Sequence, residues 1–203
     1  MKDKLKFLRD VNGYKIMRAF KKGRLLVSYE IVINDPKQIM DERLDIYIKG
    51  FEGFEKVTII LETKCFYNIN APMNYSEATY WKSEAIYLSD TSGVVSVNTS
   101  TSIGGDYLGV RDMGLFETLQ PIEVVKQKRV IDLNRVQLKE KVTYQITALL
   151  ANKIIAQESF DRWYKKESIQ YMDIIKNAWQ GRLFFEEPNN PRPAIIVLSG
   201  SDG

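Results

Sequence analysis

The dominant pattern along the chain is an alternation of hydrophobic and polar positions. Between residues 43 and 49, Leu44, Ile46 and Ile48 occupy every second position. Successive side chains of a strand point to opposite faces, so this spacing predicts a strand with one buried and one solvated face. The same alternation predicts two more half-buried strands, residues 56–63 with Val57, Ile59 and Leu61 inside, and residues 141–148 with Val142, Tyr144, Ile146 and Ala148 inside.

Polar or glycine-containing segments separate the apolar runs at residues 49–53, 89–93 and 150–153. Such segments favour hairpins. Short antiparallel strands with one wet face must bury the other face against a second sheet. The pattern therefore predicts a mainly β fold, an immunoglobulin-like antiparallel β-sandwich over residues 25–166. Four bulky aromatic residues are expected in its core rather than in a ligand cage: Trp81, Tyr87, Phe160 and Trp163.

One glycine-rich stretch, residues 103–116, departs from the alternation. It contains four glycines but also large apolar side chains, which are unusual in a solvated loop. Two interpretations stay open. The stretch is either a crossover folded onto the core or a rigid surface loop that presents apolar side chains to a partner. The side chains concerned are Leu108, Met113, Leu115 and Phe116.

The carboxyl-terminal part departs from the alternation in another way. Residues 194–198 are apolar at every position, which is typical of a strand in a parallel sheet covered by helices. The small residues 199–203 follow, where open α/β sheets place their ligand-binding loops. Residues 167–203 are therefore predicted to be the opening strands of a truncated second domain.

Charge sets the leading segment apart. Residues 1–24 contain nine basic and two acidic residues, a net charge of +7, whereas the remaining 20 basic and 24 acidic residues give −4. An acidic body argues against nucleic-acid binding. Residues 1–24 are predicted to be a basic extension, either a solvated tail or a helix docked on the body. An amphipathic helix that contacts a membrane is the less favoured alternative.

The residue types restrict the chemistry. The sequence has no histidine, the side chain that most often serves as a general base near neutral pH, and one cysteine, Cys65, which is expected to be an apolar strand residue. We therefore expect no catalytic residue, no metal and no cofactor in this chain. No apolar run long enough for a signal peptide follows the charged start, so a cytoplasmic location is expected.

Several stretches, in order along the chain, resemble the acyl-CoA thioester hydrolase and bile acid-CoA:amino acid N-acyltransferase family. The most specific is Gly104-Gly105 followed closely by Met113-Gly114-Leu115. The others are residues 41–51, beginning Asp41-Glu42-Arg43, residues 57–59, Arg162-Trp163-Tyr164, and residues 181–184.

The resemblance implies an amino-terminal sandwich that covers or shapes the acyl-CoA site of an α/β-hydrolase domain in the same polypeptide, in fatty acid metabolism. The nucleophile, acid and histidine are then expected beyond Gly203, and the loop of Gly200, Ser201, Asp202 and Gly203 is the oxyanion-loop candidate. The expected interface between the domains consists of Gly104, Gly105, Tyr107, Leu108, Met113, Leu115 and Phe116. A stand-alone immunoglobulin-like module that binds a protein partner is the alternative.

Overall fold

A computed structural model describes ten ranges of the chain: residues 5–9, 15–21, 24–26, 28–34, 39–64, 78–125, 140–176, 179–186, 193 and 195–197. The chain forms two compact units, Met1–Tyr164 and Lys165–Gly203. Strands predominate in both units, which confirms the expectation of a mainly β protein with antiparallel sheets.

The strands of the first unit are β1 (Leu5–Arg9), β2 (Lys15–Lys21), β3 (Arg24–Leu26), β4 (Glu30–Ile33), β5 (Ile46–Lys49), β6 (Lys56–Lys64), β7 (Tyr80–Leu88), β8 (Val94–Ser96), β9 (Gly104–Gly105), β10 (Gln120–Glu123), β11 (Lys141–Leu150) and β12 (Lys153–Trp163). The described residues of this unit also form one short helix, α1, which spans Gly114–Glu117. The second unit contains β13 (Gln170–Lys176) and β14 (Trp179–Phe185).

A six-stranded and a three-stranded sheet enclose the core of the first unit. The larger has the order β10-β7-β6-β11-β12 with β9 on β7, and the smaller has the order β4-β5-β8. The inward residues of both sheets form one hydrophobic cluster, as the alternation predicts. It includes all the apolar positions assigned to the inner face above, together with Ala85, Tyr87, Val95 and Phe160.

Only one of the three expected hairpins is present. Strands β11 and β12 are joined by Ala151 and Asn152, whose φ values of 48° and 62° suit a tight two-residue turn. Residues 49–53 and 89–93 instead lead from one sheet to the other, so the hairpin prediction is wrong there. These two crossings bind each other, because Ser89 Oγ donates to the Glu52 carbonyl at 2.6 Å and accepts from the Glu55 N–H at 2.9 Å.

The leading segment contains strands rather than the helix that its sequence left open. β1, β2 and β3 pair in order as a three-stranded antiparallel sheet. Among the described residues of the chain, no helix has the length and apolarity that a membrane span requires.

The second unit contains an antiparallel hairpin, β13–β14. On one face, Arg182 donates two hydrogen bonds to Asp173, at 2.5 and 2.9 Å, and its guanidinium carbon lies 4.6 Å from the centroid of the Tyr171 ring. The strand expected at residues 194–198 is not formed at the described residues 195–197, whose side chains are exposed. Strand formation there needs a hydrogen-bonded neighbour, and the described part of this unit supplies none.

Candidate functional site

The glycine-rich stretch is anchored to the large sheet at its start. Gly104 and Gly105 form β9 beside Ile86 and Ala85 of β7. Gly105 has a φ of 94°, and a Cβ there would overlap the Glu84 carbonyl, so the position needs glycine.

The middle of the stretch turns back into the core. Tyr107 is buried, and its hydroxyl hydrogen-bonds that of Tyr87. Burial raises the pKa of both phenols, so the pair stays neutral. A Cβ at Gly114 would overlap the Tyr107 ring, which explains a second glycine in this loop.

The seven residues expected at the domain interface differ in their burial. Tyr107 and Leu115 are buried in the core of their own unit, so they offer no surface to a partner. Leu108 is 70% exposed, and Ile103 and Val110 beside it are exposed as well. Met113 and Phe116 are half-buried in a groove. The stretch is therefore folded onto the core at Tyr107 and Leu115 and exposed at Leu108, and the partner contact stays a prediction.

The groove, of about 410 Å³, lies between three segments that are far apart in sequence. Residues 40–43 form one side, the loop and helix from Asp112 to Glu117 form another, and β11 and β12 form the base. Tyr144 contributes to the base and packs edge-on against Phe116 at 5.2 Å. The lining is Met40, Asp41, Glu42, Arg43, Asp112, Met113, Phe116, Glu117, Tyr144 and Arg162.

Arg162 is the most buried charged side chain that this groove contains, only 1% exposed. Its Nη2 donates to the carbonyls of Ile39 at 2.7 Å, Met40 at 3.1 Å and Glu42. Its guanidinium carbon lies 5.1 Å from the centroid of the Phe116 ring. Burial lowers the pKa of the guanidinium below its ordinary value, but that value is far above neutrality and the group stays charged.

Acidic side chains dominate the rim of the groove. Arg43 Nη1 lies 3.2 Å from Asp112 Oδ2, and Arg43 Nε lies 3.2 Å from Asp45 Oδ1. Arg111 Nη1 lies 3.7 Å from Glu117 Oε2. Asp41 and Glu42 are exposed beside the opening. The groove thus combines an apolar wall, an acidic rim and a buried cation at its base.

The groove brings together three of the stretches that carried the resemblance: Asp41-Glu42-Arg43, the Met113–Phe116 segment and Arg162. Sequence reasoning named Met113 and Phe116 but gave Arg162 no functional role. A signal for it existed, because Phe160 and Arg162 are two residues apart and so share the inner face of β12.

Other expected features lie elsewhere. Gly200, Ser201, Asp202, Gly203 and Cys65 are outside the described residues. The neighbouring carboxylates of Asp41 and Glu42 are exposed. Within the described ranges, no group of three or more His, Cys, Asp or Glu side chains is arranged to hold a metal ion.

Comparison with known proteins gives a family match over most of the first unit. Residues 41–176 match the family model described as the acyl-CoA thioester hydrolase/BAAT N-terminal region. The matched range includes all the residues that line the groove except Met40.

Curated relatives are similar over most of this chain. Bile acid-CoA:amino acid N-acyltransferase of Homo sapiens is 28% identical over 171 residues, which are 81% of this chain and 38% of that protein. Acyl-coenzyme A amino acid N-acyltransferase 2 of Mus musculus is 24% identical, over 86% of this chain and 40% of its own length. Human mitochondrial acyl-coenzyme A thioesterase 2 is 20% identical, over 80% and 32%. The chain thus spans well under half the length of these relatives.

Proposed function

Because this chain belongs to the acyl-CoA thioester hydrolase/BAAT family and contains its N-terminal region, we propose that it is the accessory domain of an enzyme that acts on acyl-CoA thioesters. The family match is the observation that carries this proposal. The relatives are named as a bile acid-CoA:amino acid N-acyltransferase, an acyl-coenzyme A amino acid N-acyltransferase and an acyl-coenzyme A thioesterase. Their greater length supports a further, catalytic part in the same polypeptide, which we propose to be an α/β-hydrolase domain.

The proposed organisation follows the sequence expectations. Residues 25–166 are the immunoglobulin-like sandwich, supported by the two antiparallel sheets that share one core. Residues 167–203 are the opening of the hydrolase domain, with Gly200, Ser201, Asp202 and Gly203 as its oxyanion loop. The exposed aliphatic side chains of residues 195–197 support this, because they would be covered once further strands and helices pack on them.

We assign the catalytic groups to the proposed α/β-hydrolase domain. Thioester cleavage or transfer needs an activated nucleophile and a general base, each typically worth orders of magnitude in rate. The sequence contains no histidine, so a nucleophile activated by histidine cannot be assembled from this chain. Its own contribution is then to shape and cover the site.

The direct test is a thiol-release assay with a series of acyl-CoA substrates. The purified 203-residue chain is expected to show no turnover above buffer, whereas the polypeptide that continues into the catalytic part turns over. Turnover by the chain alone, abolished in Cys65→Ala or Ser201→Ala, contradicts the proposal. A coding sequence without a catalytic part after Gly203 contradicts it too, and favours the stand-alone binding module.

Leu108 is the residue best suited to report the contact between domains, because it is 70% exposed beside Ile103 and Val110. Leu108→Asp is expected to lower turnover of the complete enzyme at least several-fold while leaving the 203-residue chain as stable as before. Ile154→Asp, at a side chain 65% exposed on the β11–β12 hairpin, is the matched control and should leave turnover unchanged. Equal turnover of the two variants would show that the Leu108 surface makes no contact that matters.

A further inference from the structure

The hydrogen bonds of Arg162 are incomplete. Nη2 serves three main-chain carbonyls, but Nε and Nη1 are buried and have no hydrogen-bond partner among the described residues. A buried donor without an acceptor typically costs about 1 to 3 kcal/mol, and more when it is charged. A position that keeps such a group is therefore suited to a partner that completes it.

The surroundings of the guanidinium define what that partner is. Met40, Met113 and Phe116 form an apolar wall beside it, so an occupant has an apolar side chain as well as an oxygen acceptor. The acidic rim disfavours a free anion, since a carboxylate or phosphate would approach past Asp41 and Glu42. A neutral carbonyl avoids this repulsion, and carbonyls are already the acceptors that Nη2 binds.

We propose that this groove binds a segment of the longer polypeptide, from the part that the relatives have and this chain lacks. A main-chain carbonyl of the segment accepts from Arg162, an apolar side chain packs on Met40, Met113 and Phe116, and a lysine or arginine faces Asp41 and Glu42. The inference rests on the proposed function and adds the place and chemistry of the contact. It is supported by the unsatisfied donors of Arg162, by the acidic rim and by the three resemblance stretches that meet here.

The test uses the full-length polypeptide with the photo-cross-linking residue p-benzoylphenylalanine at position 113, followed by mass spectrometry. The expected product is an intramolecular cross-link to a segment after residue 203 that has a lysine or arginine within about five positions. The same residue placed at position 154, on the exposed hairpin end, is the control and is expected to give at least fivefold less of this product.

Reversing the charges of the acidic rim tests whether the cross-link depends on a charge interaction with the segment or only on its proximity. The double variant Asp41→Lys with Glu42→Lys changes only exposed side chains and is expected to reduce the cross-link at least threefold. Glu158→Lys, at an exposed position of β12, is expected to leave it unchanged.

Three results would overturn the inference: a cross-link to a second copy of the chain, a yield at position 113 no higher than at position 154, or no response to the rim reversal. Turnover of acyl-CoA is measured on the same preparations. An enzyme that turns over without the cross-link contradicts this inference alone. If the position-113 variant forms the cross-link but the unmodified full-length polypeptide shows no turnover, the proposed function alone is contradicted.

Discussion

Two buried polar side chains, Asn98 and Arg162, bind the main chain of the segment that leads into β5. Asn98 is 2% exposed; its Oδ1 accepts from the Ile46 N–H at 3.0 Å, and its Nδ2 donates to the carbonyls of Leu44 and Asp112, both at 2.7 Å. Arg162 is 1% exposed and holds the carbonyls of residues 39, 40 and 42.

The two clusters differ in what they leave unsatisfied. Both polar atoms of the Asn98 side chain are hydrogen-bonded, so the amide links β5 to the loop before α1 and has no unsatisfied polar atom. Arg162 keeps two nitrogens without an acceptor. Burial is equal, so burial alone does not identify a binding group. The unsatisfied donors are the difference between the two side chains, and they would gain from an additional acceptor.

The largest effect is expected from Asn98→Ala. The substitution leaves the buried Ile46 N–H and Leu44 carbonyl without partners and removes the bond to the Asp112 carbonyl, and we expect a loss of roughly 3 kcal/mol in the free energy of unfolding. Urea denaturation of the 203-residue chain measures it. Thr99→Ala, next to it but exposed, should change the free energy by less than about 0.5 kcal/mol. Similar losses of stability for the two variants would show that the buried hydrogen bonds of Asn98 do not stabilise the fold.

Arg162→Met should lower the free energy of unfolding by less than Asn98→Ala does, by about 1 to 2 kcal/mol in the same urea measurement. The variant loses the bonds to three carbonyls, but it also removes a buried charge with unsatisfied N–H groups, and the methionine keeps the packing on Phe116. A loss that equals or exceeds that of Asn98→Ala would mean that the whole guanidinium, including Nε and Nη1, stabilises this chain by itself.

The same contrast shows how far the sequence predicts this molecule. Alternation correctly identified the inner faces of β6 and β11, because burial of side chains on one face is what the pattern records. Residues 49–53 were misassigned, because turn residues specify a reversal of the chain but not the strand that follows it. Long-range pairing decides that, and it depends on contacts such as that between Ser89 and Glu52.

The candidate site has the same limit. The inner position of Arg162 follows from its spacing to Phe160, but its acceptors lie more than 100 positions away in the sequence, on residues 39–42. No local pattern predicts that contact. Leu108 and Leu115 have the same side chain in one stretch, but Leu108 is exposed and Leu115 is buried. Contacts with distant residues determine this, among them the β9 pairing with β7 and the bond from Ser83 Oγ to the Leu115 carbonyl.

The smallest effect is expected one residue before Arg162, on the opposite face of β12. Asp161 accepts from Lys141 Nζ and Thr143 Oγ1, each at 2.5 Å, and these bonds, first that from Lys141, hold the pKa of its carboxyl below the ordinary value. A lowered pKa in the folded state stabilises the fold above the unfolded pKa of about 4, and this stabilisation is lost as pH falls through the folded value. Because the Lys141–Asp161 pair is partly exposed, its contribution to stability should stay below about 1 kcal/mol.

Asp161→Asn is therefore expected to lower the free energy of unfolding by a constant amount from about pH 5 to 7, with the difference from the unmodified chain shrinking below about pH 4. Lys141→Met removes the larger cause and should weaken the same acid dependence. Urea denaturation across this range measures both, and a difference for Asp161→Asn that does not change with pH would show that the carboxylate adds nothing to the stability of this edge of β12.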